Sequence, residues 1–127
     1  MNIQLIVAVA IGGALGSVAR YLVGVASGKL IGFDFPWGTL VINIAGSFLI
    51  GALAESFALK WDASQAMRAF LIVGICGGFT TFSTFSLDSY VLMQRGEMWH
   101  AASYMAASVA LSIGALFAGL HVIRAMP

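Results

Sequence analysis

The stretch GGFTTFSTFS, Gly77 to Ser86, sets two glycines before phenylalanines at every third position, with hydroxyl residues in the gaps. In a chain that crosses a membrane, each of these residue types bears on the handling of ions. Gly77 and Gly78 followed by the β-branched pair Thr80 and Thr81 make a poor helix, which predicts a break. A break frees backbone carbonyls and amides that lipid cannot satisfy. Such backbone persists at membrane depth only where protein buries it, where it lines a cavity or where it holds an ion. Carbonyls converging from two symmetry-related breaks would suit a hard cation. Beyond the break, Phe79, Phe82 and Phe85 roughly align if the chain resumes as a helix. A ring is positive at its edge, so edges turned into a narrow pore attract an anion without offering a formal charge. Hydroxyls at Ser83 and Thr84, with the amide of Asn43, can donate hydrogen bonds in place of lost water. Weak, repeated contacts of this kind suit conduction, because an ion held by a full positive charge leaves slowly. The chemistry indicated is a path for a small anion.

That reading requires the stretch to lie in a bilayer, and the composition places it there. Of 127 residues, 61% are hydrophobic and only 9% charged, against roughly 25% charged in soluble domains. The mean hydropathy is +0.99. A soluble domain this small would have too much surface for so few charges to cover. One domain is expected. The net charge of +1 and the absence of a basic cluster argue against a nucleic-acid partner. The single Cys76 lies in an apolar run, permits no intrachain disulfide and reads as a small packing residue.

A hydrocarbon core of about 30 Å needs roughly 20 apolar residues per helix, and the charges divide the chain into four such segments. The expected spans are about 3–28, 37–58, 67–94 and 99–123, with the third broken near its middle. No Lys or Arg precedes the first apolar run and that run is long, so it reads as a span rather than a signal peptide. Pro36 is expected in the first turn of the second span. Trp37, Trp61 and Trp99 fall at span ends, where aromatic residues favour the interface.

With four spans, Lys60, Arg68 and Arg124 share one side with the N-terminus, and Lys29 and Arg95 lie opposite. The positive-inside bias is close to zero. A chain without a preferred orientation can insert both ways, which allows an antiparallel homodimer about a two-fold axis in the membrane plane. Gly12 and Gly16, Gly24 and Gly28, and Gly74 and Gly78 have the spacing that lets helices approach closely, and Ala102, Ala106 and Ala110 repeat it in the fourth span. All are expected to build the scaffold.

Polar residues within spans cost more. Thr39, Asn43 and Ser47 follow one helical face of the second span, and Tyr104, Ser108 and Ser112 one face of the fourth. Two such stripes can line a wet path. A lone Ser or Thr is more readily explained by a hydrogen bond between helices. Asn43 is harder to explain that way, because a mid-span amide has donors and acceptors to satisfy together.

The segments GGFTTFSTFS, GALGSVARYL and WGTLVINIAGSF, set in this four-span pattern, resemble the Fluc (CrcB) fluoride channels over the whole chain. The resemblance implies a passive fluoride channel that exports the ion from a bacterial cell across its inner membrane. It further implies a dual-topology homodimer with two parallel pores and a structural sodium ion at the centre of the interface. Carried over by motif, the carbonyls of Gly77 and Thr80 would be the sodium ligands. Phe82 and Phe85 would be the rings flanking fluoride, Asn43 a donor near them, and Tyr104, Ser108 and Ser112 a polar track. Arg20 resembles the arginine that draws anions into the aqueous vestibule. Asp88 stands where many relatives would have Glu, and no role is assigned to it. The residues alone do not select fluoride over chloride.

Other classes are weighed against this. A small proton-coupled multidrug exporter could share four short spans and dual topology, but it needs a titratable carboxylate at membrane depth. Glu55 and Asp88 fall toward span ends. An intramembrane enzyme is disfavoured, because His100 and His121 lie about 30 Å apart along one helix. A purely structural four-span protein stays open, and would tolerate apolar replacements at Asn43 or Phe82.

Overall fold

The computed structural model describes residues 2–127, and every regular element in it is helical. Helix α1 (Ile3–Leu30) starts where Asn2 turns extended and its Oδ1 accepts the Gln4 amide at 2.8 Å, an end cap that satisfies one of the orphan amides. At 28 residues it is about 42 Å long. That exceeds the hydrocarbon thickness, so it crosses at a tilt or carries its ends into the headgroups. Gly32, with φ at 112°, turns the following loop through a conformation that other residues rarely adopt.

Helix α2 (Trp37–Leu59) follows. Pro36 sits one residue before it rather than inside its first turn, with its carbonyl accepting the Leu40 amide at 3.2 Å. The third span comes in two pieces. Residues 65–79 form α3, of which Ala69–Cys76 is wound as a π-helix, and Phe82–Gln94 form α4. The last helix, α5, runs Met98–Ala125. All four spans are long and apolar enough to cross a membrane. Their ends lie within two residues of the expected ones, and the break in the third falls at Thr80 and Thr81 as predicted. The sequence of the π-wound turn, AFLIVGIC, is uniformly apolar and carries no recognisable signal for it.

The helices pair as α1 with α3 and α2 with α5. Glycine makes both crossings close. A Cβ on Gly16 would overlap the Ile75 carbonyl, one on Gly78 the Gly13 carbonyl, and Gly12 and Gly74 face each other in the same seam. Two of the three expected glycine pairs thus build one contact. The third does not: Gly24 faces Gly38 of α2, and Gly28 lies under the Phe33 ring. The alanine stripe is also a correction. Ala102, Ala106 and Ala110 point outward, because the face of α5 turned inward is that of Ala101, Tyr104 and Ser108, on the other side of the helix. It is Gly51 and Gly119 that let α2 and α5 meet, each lying against the other helix's backbone.

The buried core is small: Leu40, Leu92, Ala101 and Tyr104, with Phe35, Ile44 and Phe85 packed against it. Most large apolar side chains face outward, as expected when lipid is the solvent. At one end of the molecule Arg124 Nη2 meets Glu55 Oε2 at 2.8 Å, joining α5 to a glutamate that is otherwise buried on α2. Gly16→Val is expected to lower stability by about 3 kcal/mol or more, seen as a large drop in thermal midpoint in detergent. Gly13→Ala, with open space around its Cβ, is expected to leave the midpoint nearly unchanged.

Candidate functional site

The break is made by side chains that take over the backbone's hydrogen bonds. Thr80 and Thr81 are extended, with φ/ψ of −82°/157° and −154°/118°. Asn43, at mid-span on α2, holds Thr81 from both sides: its Oδ1 accepts the Thr81 amide at 2.9 Å, and its Nδ2 donates to the Thr81 carbonyl at 3.1 Å. Thr81 Oγ1 then accepts the Thr84 amide at 3.1 Å and caps α4. Thr80 turns back, giving both its amide and its hydroxyl to the Cys76 carbonyl at 3.0 and 2.8 Å. In an unbroken helix the Thr81 amide would close on the Gly77 carbonyl and the Thr84 amide on that of Thr80. Both amides are spent elsewhere, so the carbonyls of Gly77 and Thr80 are released from those bonds. The Gly78 carbonyl is met instead by Arg20 Nε, at 3.0 Å from α1.

Two clefts flank the break. The first, of about 420 Å³, is lined by Asn43, Thr80, Phe82, Phe85, Ser108 and Ser112 among others, and by no charged side chain. Phe82 is 78% exposed. Its ring stands 5.4 Å from that of Phe85, tilted by 48°. The hydroxyls of Ser108 and Ser112 are buried and have no partner among the described residues. A buried hydroxyl without a partner costs about 1–3 kcal/mol, which a ligand or water in the cleft would offset.

The second cleft, of about 580 Å³, is charged: Arg20, Lys29 and Asp88 line it together with Thr39, Thr84 and Trp37. Thr81 borders both clefts. Here the Asp88 carboxylate accepts the Tyr104 hydroxyl at 3.1 Å.

Most of the expected site residues therefore gather around the first cleft, namely Asn43, Phe82, Phe85, Ser108, Ser112, Gly77 and Thr80. Three of the expected pore residues do not line it. Ser83 is exposed, with its hydroxyl 3.3 Å from Thr81 Oγ1. Thr84 faces the second cleft. Tyr104 is wholly buried behind Phe85, at 5.3 Å between ring centres, and is backed edge-on by Phe35 at 5.6 Å. Arg20 lines the charged cleft and also ties α1 to the break. The bond from Arg20 to Gly78 spans 58 residues, and no local pattern announces it. Nor does the sequence point to the partnership of Asp88 with Tyr104, since neither residue type specifies a partner on another helix. Thr81 could have been read as the cap of α4, since threonine is favoured where a helix starts.

Against known proteins, the family model described as "CrcB-like protein, Camphor Resistance (CrcB)" matches residues 7–120. A protein of Nitrobacter hamburgensis named Fluoride-specific ion channel FluC 1 is 62% identical over 126 residues, covering 99% of this chain and 100% of the relative. One of Nitrobacter winogradskyi named Fluoride-specific ion channel FluC is 62% identical over 124 residues, 98% of each chain. A further relative so named, from Agrobacterium fabrum, is 58% identical over 116 residues, 91% of this chain and 93% of the relative.

Proposed function

Because the chain belongs to the CrcB family, we propose that it is a passive, fluoride-selective channel, the activity its relatives are named for. The observation that carries this is the uncharged cleft, where two phenylalanine rings stand beside serine hydroxyls that lack partners. A small anion leaving water must recover its lost hydration from weak, closely placed donors. Ring edges of Phe82 and Phe85 supply positive electrostatic surface. Ser108 and Ser112 can turn their hydroxyl hydrogens toward the ion, and the second hydrogen of the Asn43 amide is available beside them. Since no cation lines this cleft, the ion is never trapped by a full opposite charge.

In this reading two copies insert antiparallel, each contributing to a pair of pores. The released carbonyls of Gly77 and Thr80 fit a hard cation by their oxygen chemistry, and two copies bring four of them to the interface. A sodium ion held there would supply the positive charge that lets four carbonyl dipoles converge. In a bacterial inner membrane the cellular role is efflux: hydrogen fluoride enters from acid surroundings and dissociates in the cytoplasm, and a passive path lets the anion leave.

The test is anion efflux from liposomes containing the purified chain, followed with a fluoride electrode and a matched chloride experiment. Rapid fluoride loss with little chloride loss, in the absence of a proton gradient, is expected. If neither ion leaves and a proton gradient drives uptake of a lipophilic cation, the exporter reading replaces this one.

A further inference from the structure

Of the six Lys and Arg side chains, five are engaged. Arg20 donates to the Gly78 carbonyl, Lys60 to that of Met126, Arg68 to that of Ala63 and Arg95 to that of Asp34, while Arg124 pairs with Glu55. Lys29 alone has no hydrogen bond or ion pair among the described residues, yet it lines the charged cleft with Arg20.

Lys29 lies in the last turn of α1, nine residues beyond Arg20 and so about 13 Å along the helix axis. Trp37, a residue type expected at the membrane interface, opens α2 and lines the same cleft. Arg20 is at the deep end, on the backbone of the break. The cleft thus carries two cations in series, one at its lip and one at its floor, and the floor borders Thr81, which also lines the uncharged cleft. Among the described residues the only carboxylate lining it is that of Asp88, which accepts the Tyr104 hydroxyl. Asp34, in the loop after Lys29, is exposed and does not line the cleft. The walls between are largely apolar, Val25, Phe33, Phe35 and Ile42 among them. Low-dielectric walls around charges of one sign focus the field along the opening and raise the local concentration of counter-ions.

We propose that Lys29 is a capture residue: a cation at the lip of the cleft that concentrates small hydrated anions ahead of Arg20, and so sets the rate of entry when the ion is dilute. This rests on the channel reading above. It differs from a helix-end role, in which Lys29 would act by complementing the dipole of α1, because a capture role shows in flux and in salt dependence rather than in folding.

The experiment measures unidirectional fluoride flux through the full chain in zwitterionic vesicles, at about 1 mM fluoride so that entry limits the rate. Ionic strength is varied from about 10 mM to 1 M with a large impermeant anion. The Debye length falls from about 30 Å to about 3 Å over that range, so a charge acting across about 13 Å is felt at one end and screened at the other. At low salt Lys29→Gln is expected to reduce flux about twofold, and Lys29→Glu, which changes the charge by two, about fourfold. Lys29→Arg is expected to match the unaltered chain, and all four are expected to converge at 1 M. Equal flux for Lys29→Glu and the unaltered chain at low salt would overturn the proposal. So would a deficit that persists at 1 M or accompanies a lowered thermal midpoint, either of which marks a structural role. Absence of fluoride flux in the unaltered chain at every salt concentration would instead defeat the channel reading on which this one rests.

Discussion

Phe82→Ile is expected to leave the chain folded and to reduce fluoride flux by about tenfold or more, an added barrier of about 1.4 kcal/mol or greater. The ring is 78% exposed and its nearest aromatic neighbour is Phe85, so the fold within the chain depends little on it. Substitutions at such positions usually change stability by no more than about 0.5 kcal/mol. Isoleucine restores most of the apolar bulk but has no ring edge, and therefore no positive rim to offer an anion. Function and stability should separate at this residue. Efflux with the fluoride electrode, beside a thermal midpoint in detergent, measures both. Unaltered flux would remove Phe82 from the conduction path, whereas a collapsed midpoint would show that its role is packing.

Asn43→Leu is expected to cost both stability and flux. The amide side chain pairs with the Thr81 amide and the Thr81 carbonyl at once. Leucine has a similar shape and satisfies neither, leaving two part-buried backbone groups without their side-chain partner. Each such group costs about 1–3 kcal/mol, so a loss of about 3 kcal/mol is expected, together with flux near background. Asn43→Asp separates the two roles. The carboxylate can still accept from the Thr81 amide, so the midpoint should fall less, but a negative charge beside an anion path should still suppress flux. A midpoint equal to that of the unaltered chain for Asn43→Leu would show that the clamp does not hold the break. Flux equal to that of the unaltered chain for Asn43→Asp would exclude this side chain from the path.

The contrast between these residues shows where sequence reading succeeds. That Phe82 and Phe85 stand side by side is legible from their spacing, which the helix preserves: residues three apart share a face wherever the helix happens to pack. The break was legible for a similar reason, since two glycines and two β-branched threonines disfavour helix locally. Asn43 was legible only as an anomaly, a mid-span amide in need of partners, and that its partners are both on Thr81 required the packed structure. Ala102, Ala106 and Ala110 show the converse. Their spacing permits close approach, but spacing does not say which helical face turns inward. Tyr104 and Ser108 settle that by facing inward.

By itself the sequence determined what is local or additive. The sparse charge and long apolar runs fixed a four-span membrane chain, because the cost of placing polar groups in hydrocarbon sums along each segment. Weak helix propensity fixed the site of the break, and whole-chain motifs pointed to the family. Only the tertiary structure decided which donors and acceptors meet across the break: Asn43 with Thr81, Arg20 with Gly78, and Tyr104 with Asp88. It alone divided the polar residues between an uncharged cleft and a charged one, and left Lys29 without a partner among the described residues. The physical reason is that a hydrogen bond is decided over about 3 Å, whereas these partners lie 16 to 58 residues apart and meet only once α1, α2 and α5 have packed around the break.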